Sequence, residues 1–162
     1  MINNMDNMNF DLFTPTKLLF GCGKLDELSK QKLPGKKALL LISNGKSVYT
    51  NGAFDRTVAQ LDKAGVEHAV CANIHENPTK EVVMEAAGVA RKNNCDFIVA
   101  LGGGAVLDAA IAVSAMATNP GELWDYVNGG TGKGLPLVNP GLPIVTIATT
   151  SGTGSEINCW GV

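Results

Sequence analysis

The clearest indication of the fold lies in residues 97–108, Phe97-Ile98-Val99-Ala100-Leu101-Gly102-Gly103-Gly104-Ala105-Val106-Leu107-Asp108. Its first five residues form a short apolar run, and the three glycines end that run. The small residues that follow, through position 118, are typical of a helix. A strand, a glycine turn and a helix in this order are the building unit of an open α/β sheet.

The same alternation recurs on both sides of this stretch. The predicted strands are residues 37–42, 66–72, 97–101 and 142–148, and the predicted helices are residues 53–64, 80–93 and 105–118. Strands that are apolar on both sides, separated by helices, indicate parallel strands that are covered on both faces. The predicted fold class is therefore α/β, with a Rossmann-like, doubly wound, mostly parallel sheet and helices on both faces. Residues 16–20 alternate weakly and predict an N-terminal edge strand or hairpin, and residues 129–141 predict an exposed Gly/Pro-rich loop.

Length and composition restrict the function classes. The 162 residues predict one domain over positions 1–162. A net charge of -2 argues against a nucleic-acid partner, and no apolar run reaches the ~18 residues of a membrane span.

Residues 1–9 lack the basic and apolar regions of a signal peptide, and the four cysteines stand singly, which predicts reduced thiols in a cytoplasmic protein. His68 and His75 are interpreted as ordinary surface histidines because zinc takes three or four ligands, so we predict no metal ligand. Ser151 and Ser155 lack a GxSxG setting and loop histidines are poor bases, so we predict no catalytic residue.

The triple glycine at positions 102–104 is the strongest candidate for binding a ligand. Glycines let the backbone approach a ligand closely, and the N–H groups of the following helix favour a phosphate. The alternative is a tight strand-to-helix turn without a ligand. The turn differs from the GxGxxG fingerprint because Leu107 stands where the third glycine is required.

Two further loops follow predicted strands. Residues 149–156 interleave hydroxyl side chains with two glycines and suit phosphate or ribose oxygens, although a solvated loop has the same composition. Residues 43–47 resemble a Walker lysine superficially, but Leu40 stands where the P-loop needs a glycine. Asp108 either orients a cofactor amide or stabilises the helix dipole.

Several separated motifs in a fixed order point to one family. The chain resembles the N-terminal, dinucleotide-binding half of the iron-containing (group III) alcohol dehydrogenases, in their butanol-dehydrogenase-like branch. The motifs that carry the resemblance are Asn9-Phe10, Pro15-Thr16-Lys17, Leu19-Phe20-Gly21, Asn51-Gly52, Phe54-Asp55, Asn77-Pro78-Thr79, Gly102-Gly103-Gly104, Asp108-Ala109-Ala110, Trp124-Asp125, and residues 149–156 followed by Asn158.

The resemblance implies hydride transfer between a nicotinamide cofactor and a small alcohol or aldehyde, in a protein that forms homo-oligomers. It implies that the triple glycine holds the pyrophosphate and that two residues lie along the cofactor, Asn77 and Asp108. Three threonines are implied to line the nicotinamide end: Thr149, Thr150 and Thr153. Gly45 stands where NAD-preferring relatives carry an aspartate, so this position, with Lys46 and Ser47 beside it, favours NADP, with NAD as the alternative.

Departures from the family pattern leave alternatives open. Ala105 replaces a serine and Ile111 replaces a lysine, which removes a phosphate donor and a positive charge. The iron ligands of the family belong to a helical C-terminal domain that would begin beyond Val162, so iron is expected only with that domain and the chain alone is expected to be inactive. The alternatives are a non-catalytic nucleotide-binding or assembly module derived from the family, and a plain α/β domain with empty turns. The residues after Ile157 resemble the start of a strand, which indicates either a fragment or a final edge strand.

Overall fold

The computed structural model describes residues 13–158, and its strands form one parallel sheet in the order β2-β1-β3-β4. The strands are β1 (Lys37–Ser43), β2 (Glu67–Ile74), β3 (Phe97–Gly102) and β4 (Ile144–Ala148). The helices are a 3-10 helix (Lys24–Lys30), α1 (Ser47–Thr50), α2 (Ala53–Lys63), α3 (Lys80–Lys92), α4 (Gly104–Thr118) and α5 (Leu123–Tyr126). The four predicted strands and the three long helices are confirmed, with their ends shifted by one or two residues. The sequence did not predict the 3-10 helix, α1 or α5.

Strand β1 shows why the sheet is covered on both sides. Its residues from Ala38 to Ile42 are fully buried. Leu39 and Leu41 belong to a core formed with α3 and α4, whereas Leu40 belongs to a second core that includes α2 and the 3-10 helix. Because successive side chains of a strand point to opposite faces, two cores on one strand require helices on both faces. The predicted α/β, Rossmann-like fold class is therefore confirmed.

The predicted N-terminal edge strand or hairpin over residues 16–20 is wrong. Residues 13–20 form neither helix nor strand, and within residues 13–158 the sheet has β2 at one edge and β4 at the other. Leu18 and Phe20 are 63% and 89% exposed, so the alternation of this segment packs against no apolar face. Without such burial nothing offsets the entropy lost when a strand is ordered. Asn9 and Phe10 lie outside the described residues.

The order of the strands places the ends of β1 and β3 side by side. The chain runs from β1 through α2 to β2, and then returns across β1 through α3 to β3. The direction of winding therefore changes between β1 and β3. In open α/β sheets, ligands bind at this point, outside the carboxyl ends of the strands.

The predicted loop over residues 129–141 is exposed at most of its positions, as expected. The buried side chain of Asn119 holds it: its Oδ1 accepts hydrogen bonds from the amides of Val138 and Asn139, both at 2.8 Å. Its Nδ2 donates to the carbonyl oxygen of Asn139 at 2.9 Å. The loop is therefore anchored to the end of α4.

Three cysteines fall within the described residues, and their thiols are free. Cys22 is exposed, and Cys71 and Cys95 are buried. Burial raises the pKa of the Cys71 and Cys95 thiols above its usual value. Cys159 lies outside the described residues. Among residues 13–158, no helix is both long enough and apolar enough to cross a lipid bilayer.

Candidate cofactor-binding site

A cleft of about 310 Å³ opens at the carboxyl edge of the sheet, where the winding changes direction. Residues at the carboxyl ends of β1 and β2, and in the segments that follow β1, β2 and β3, line it together. They are Ser43, Asn44, Gly45, Ser47, Ile74, His75, Glu76, Gly103, Gly104, Ala105 and Val106. Four of the predicted site residues therefore share one cleft: Gly45, Ser47, Gly103 and Gly104.

The triple glycine supplies main-chain donors to this cleft. Gly102 ends β3, Gly103 is the extended N-cap residue, and Gly104 begins the 15-residue helix α4. Within the described residues, the first amides of this turn that donate a hydrogen bond are those of Val106 and Leu107. Both donate to the carbonyl oxygen of Gly103, at 3.0 and 3.2 Å. Within residues 13–158, no acceptor is bonded to the amides of Gly103, Gly104 or Ala105. Three such N–H groups at the positive end of a helix dipole form a site that favours an anion.

The loop after β4 lies directly against this turn. The amide of Thr149 donates to the carbonyl oxygen of Gly102 at 2.9 Å, which continues the pairing of β3 with β4. A Cβ placed on Gly103 would lie 3.1 Å from Oγ1 of Thr150. A Cβ on Gly104 would lie 3.1 Å from Cγ2 of Thr153. The two glycine-containing loops are therefore in contact, and side chains on the turn would crowd the space between them.

The loop after β1 forms the opposite wall. Gly45 and Ser47 line the cleft, whereas Lys46 is exposed, is not among the lining residues and precedes α1 as its N-cap residue. The amide of Asn44 donates to the carbonyl oxygen of Ile74 at 3.0 Å. This bond ties the end of β1 to the end of β2 beside the cleft.

The lining residues that sequence reasoning did not assign to the site include Asn44, His75 and Glu76. Nδ2 of Asn44 and Nδ1 of His75 lie 3.2 Å apart. His75 is exposed, as expected for a surface histidine, but it also borders the cleft. The signal available in the sequence was position, because each of these residues lies one or two positions after a strand whose carboxyl end lies at this edge.

Six predicted residues are not among those that line the cleft: Asn77, Gly102, Asp108, Thr149, Thr150 and Thr153. Asn77 follows Glu76 with a left-handed backbone (φ 53°). Asp108 lies one turn beyond Gly104 on α4. One carboxylate oxygen of Asp108 and one of Glu156 are buried, and neither has a hydrogen-bond partner among the described residues. Asp108 lies on α4, the helix that follows the triple glycine, and Glu156 is the last residue of the loop over residues 149–156.

Comparison with known proteins identifies the family. The family model for iron-containing alcohol dehydrogenases matches residues 15–162, which is most of the chain. The chain belongs to the iron-containing alcohol dehydrogenase family. The resemblance seen in the sequence motifs is thereby confirmed.

Individual members of the iron-containing alcohol dehydrogenase family match over nearly the whole chain. A probable NADH-dependent butanol dehydrogenase of Bacillus subtilis is 37% identical over 93% of this chain and 38% of its own length. An NADP-dependent alcohol dehydrogenase of Entamoeba histolytica is 35% identical over 98% of this chain and 40% of its own length. The crystal structure of NADH-dependent butanol dehydrogenase A from Thermotoga maritima has a TM-score of 0.82 at 34% identity, covering 93% of this chain and 37% of that one. The chain thus spans about two-fifths of the length of these relatives.

The family's iron does not fit the described residues of this chain. Iron in proteins needs several imidazole or carboxylate ligands around one point. Between Phe13 and Asn158, no three His, Cys, Asp or Glu side chains lie close enough to hold a metal ion. The cleft offers main-chain amides and short polar side chains instead, which suit the phosphates and hydroxyls of a dinucleotide.

Proposed function

We propose that this chain, over residues 1–162, is the dinucleotide-binding domain of an iron-dependent alcohol dehydrogenase or aldehyde reductase. One observation carries the proposal: three amides without an acceptor in the described chain, those of Gly103, Gly104 and Ala105, begin α4 at the switch point of the sheet. Those amides bind the cofactor pyrophosphate, since N–H groups at a helix N-terminus favour phosphate charge. Gly102, at the end of β3, completes this turn.

The rest of the cofactor extends to both sides of the turn. In this proposal Gly45 and Ser47 receive the adenosine ribose, and the threonines of the β4 loop orient the nicotinamide: Thr149, Thr150 and Thr153. Asn77 and Asp108 lie along the cofactor between these ends. The bound nicotinamide supplies the hydride chemistry, and the residues of this chain bind it and fix its orientation.

The substrate of the complete enzyme is a small alcohol or aldehyde. We expect the chain alone to be inactive, because residues 13–158 offer no cluster of side chains that could hold a Lewis-acid metal ion. We propose NADP as the cofactor because no carboxylate at position 45 repels a 2′-phosphate, with NAD as the alternative. The family resemblance and the single cysteines support a cytoplasmic homo-oligomer. If the isolated chain turned over butanol or butyraldehyde with added ferrous iron, its proposed incompleteness would be refuted.

A second candidate is a nucleotide-binding or assembly module without catalysis. It is supported by Ala105, which lines the cleft without the hydroxyl of the family's serine, and by Ile111 in place of lysine. Such a module binds a dinucleotide weakly or not at all. Affinity for NADPH and NADH therefore separates the two candidates.

The test is calorimetric titration of NADPH and NADH into the chain and into Gly103→Ala. The added methyl lies 3.1 Å from Oγ1 of Thr150, between the two loops, so we expect about tenfold weaker binding, or about 1.4 kcal/mol. Gly88→Ala is the matched control, because a Cβ at Gly88 in α3 meets no atom within 4 Å. Saturable binding that is weakened only by Gly103→Ala supports the proposal. Absence of binding by the folded chain, or equal binding by both variants, contradicts it.

A further inference from the structure

The cleft contains one carboxylate and no Lys or Arg among its described lining residues. The carboxylate is that of Glu76, which follows His75 at the end of β2. Lys46, the cation nearest in sequence to Gly45, is not among the lining residues. The charge at this wall of the cleft is therefore negative, although position 45 itself carries no acid.

The backbone holds Glu76 beside the loop that receives the ribose. Asn44 makes two contacts at the end of β2. Its amide donates to the carbonyl oxygen of Ile74 at 3.0 Å, and Nδ2 of its side chain lies 3.2 Å from Nδ1 of His75, the residue after the strand. These contacts keep the segment after β2 next to Gly45. The exposed side chain of Glu76 forms no hydrogen bond or ion pair with the part of the chain that the structure describes, so its carboxylate is available to a ligand.

We infer that Glu76 is a second selectivity residue of the cofactor site, which opposes a 2′-phosphate from the β2 side and so offsets the preference for NADP created by Gly45. This inference rests on the proposed function. A carboxylate accepts hydrogen bonds from the 2′- and 3′-hydroxyls of a ribose, as in NAD, and repels the dianionic phosphate of NADP. The selectivity of this chain is therefore set by residues from two strands.

The dimensions of the cleft determine the expected size of the effect. A sphere of 310 Å³ is about 8 Å across, which is close to the Debye length of roughly 8 Å at physiological ionic strength. A charge on one wall is thus only partly screened from a phosphate in the cleft. At this distance, repulsion between the single negative charge of the Glu76 carboxylate and the two negative charges of a 2′-phosphate corresponds to about three- to tenfold in affinity.

The experiment compares Glu76→Gln with the unchanged chain in titrations with NADPH and NADH. Glutamine keeps the size and hydrogen-bonding capacity of the side chain and removes its charge. Glu67→Gln is the control, because Glu67 lies at the opposite end of β2 and makes only an exposed ion pair with Lys37. Adenosine 2′,5′-bisphosphate and adenosine 5′-phosphate form a second pair of probes that reports on the ribose end alone. All titrations are repeated at low and high salt.

We expect Glu76→Gln to shift the affinity ratio toward NADPH by about three- to tenfold at low salt, less at high salt, and Glu67→Gln to leave it unchanged. A shift of at least twofold that is specific to Glu76→Gln supports the inference. A smaller or opposite shift, with both cofactors still binding, overturns the inference and leaves the proposed function intact. If neither cofactor binds the unchanged chain, the proposed function fails and the inference fails with it.

Discussion

Replacing Gly102 by alanine tests why the glycine turn follows β3 so tightly. A Cβ at this position would lie 2.6 Å from Cγ2 and 2.8 Å from Cβ of Val106, whereas carbon atoms in good contact are about 3.5–4.0 Å apart. Val106 is 2% exposed, and a valine in a helix has essentially one rotamer. It cannot rotate away, so the start of α4 must shift outward.

The expected loss of stability follows from this crowding. Extra carbon in a packed core costs about 1–3 kcal/mol, and the lower entropy of alanine in the unfolded chain returns about 0.4–1 kcal/mol. The net decrease in the free energy of unfolding is about 1–2 kcal/mol, which lowers Tm by about 2–8 °C in a domain of this size. Gly102 is not in the left-handed region, so the backbone adds no penalty of its own.

Urea and thermal unfolding followed by circular dichroism measure this difference. Gly88→Ala serves as the control, because it introduces the same methyl into helix α3 without a neighbour within 4 Å, and should stabilise the chain by about 0.5–1 kcal/mol. The two variants should therefore move Tm in opposite directions. If Gly102→Ala unfolds at or above the Tm of the unchanged chain while the control behaves as expected, close packing of α4 on β3 is not the reason for this glycine.

Two further predictions concern the loop after α5 and the thiols. Asn119→Ala leaves the amides of Val138 and Asn139 without their acceptor, which should cost about 2–4 kcal/mol and speed limited proteolysis within residues 127–141. An unchanged cleavage rate would show that Asn119 does not anchor this loop. Iodoacetamide at pH 8 should alkylate Cys22 faster than Cys71 and Cys95, because burial raises the pKa of the two buried thiols and leaves less thiolate at a given pH. Raising the pH should speed the labelling of Cys71 and Cys95, and site-resolved mass spectrometry that finds equal rates at pH 8 would contradict this account.

The elements with a strong local pattern could be predicted from the sequence. The apolar run of β3 and the glycines that end it placed the strand, the turn and the start of α4 within one residue. The weak alternation of residues 16–20 predicted a strand that does not form, because a pattern states which face would be apolar but not whether a partner covers it. The short helices α1 and α5 carry too few turns to show a period.

Some residues of the candidate site could also be predicted from the sequence, and others could not. Gly103 and Gly104 were predicted from their place after an apolar run, and Gly45 from the family resemblance, and the cleft brings all three together. Asn44, His75 and Glu76 were missed although they lie just after β1 and β2, because their residue types do not distinguish them from other polar loop residues. The assignment of Gly45, Gly103 and Gly104 as cofactor ligands stays a prediction that the titrations above test.

By itself, the amino-acid sequence determined which segments become buried strands and where glycines follow them, because burial on both faces and glycine turns produce local sequence patterns. Only the tertiary structure decided the order β2-β1-β3-β4, since the choice of strand partners depends on side-chain packing between distant segments. That order sets Gly45, Glu76 and Gly104 around one cleft, although about thirty residues separate each from the next along the chain. The charge at that cleft is thus a property of the packed sheet rather than of any one motif.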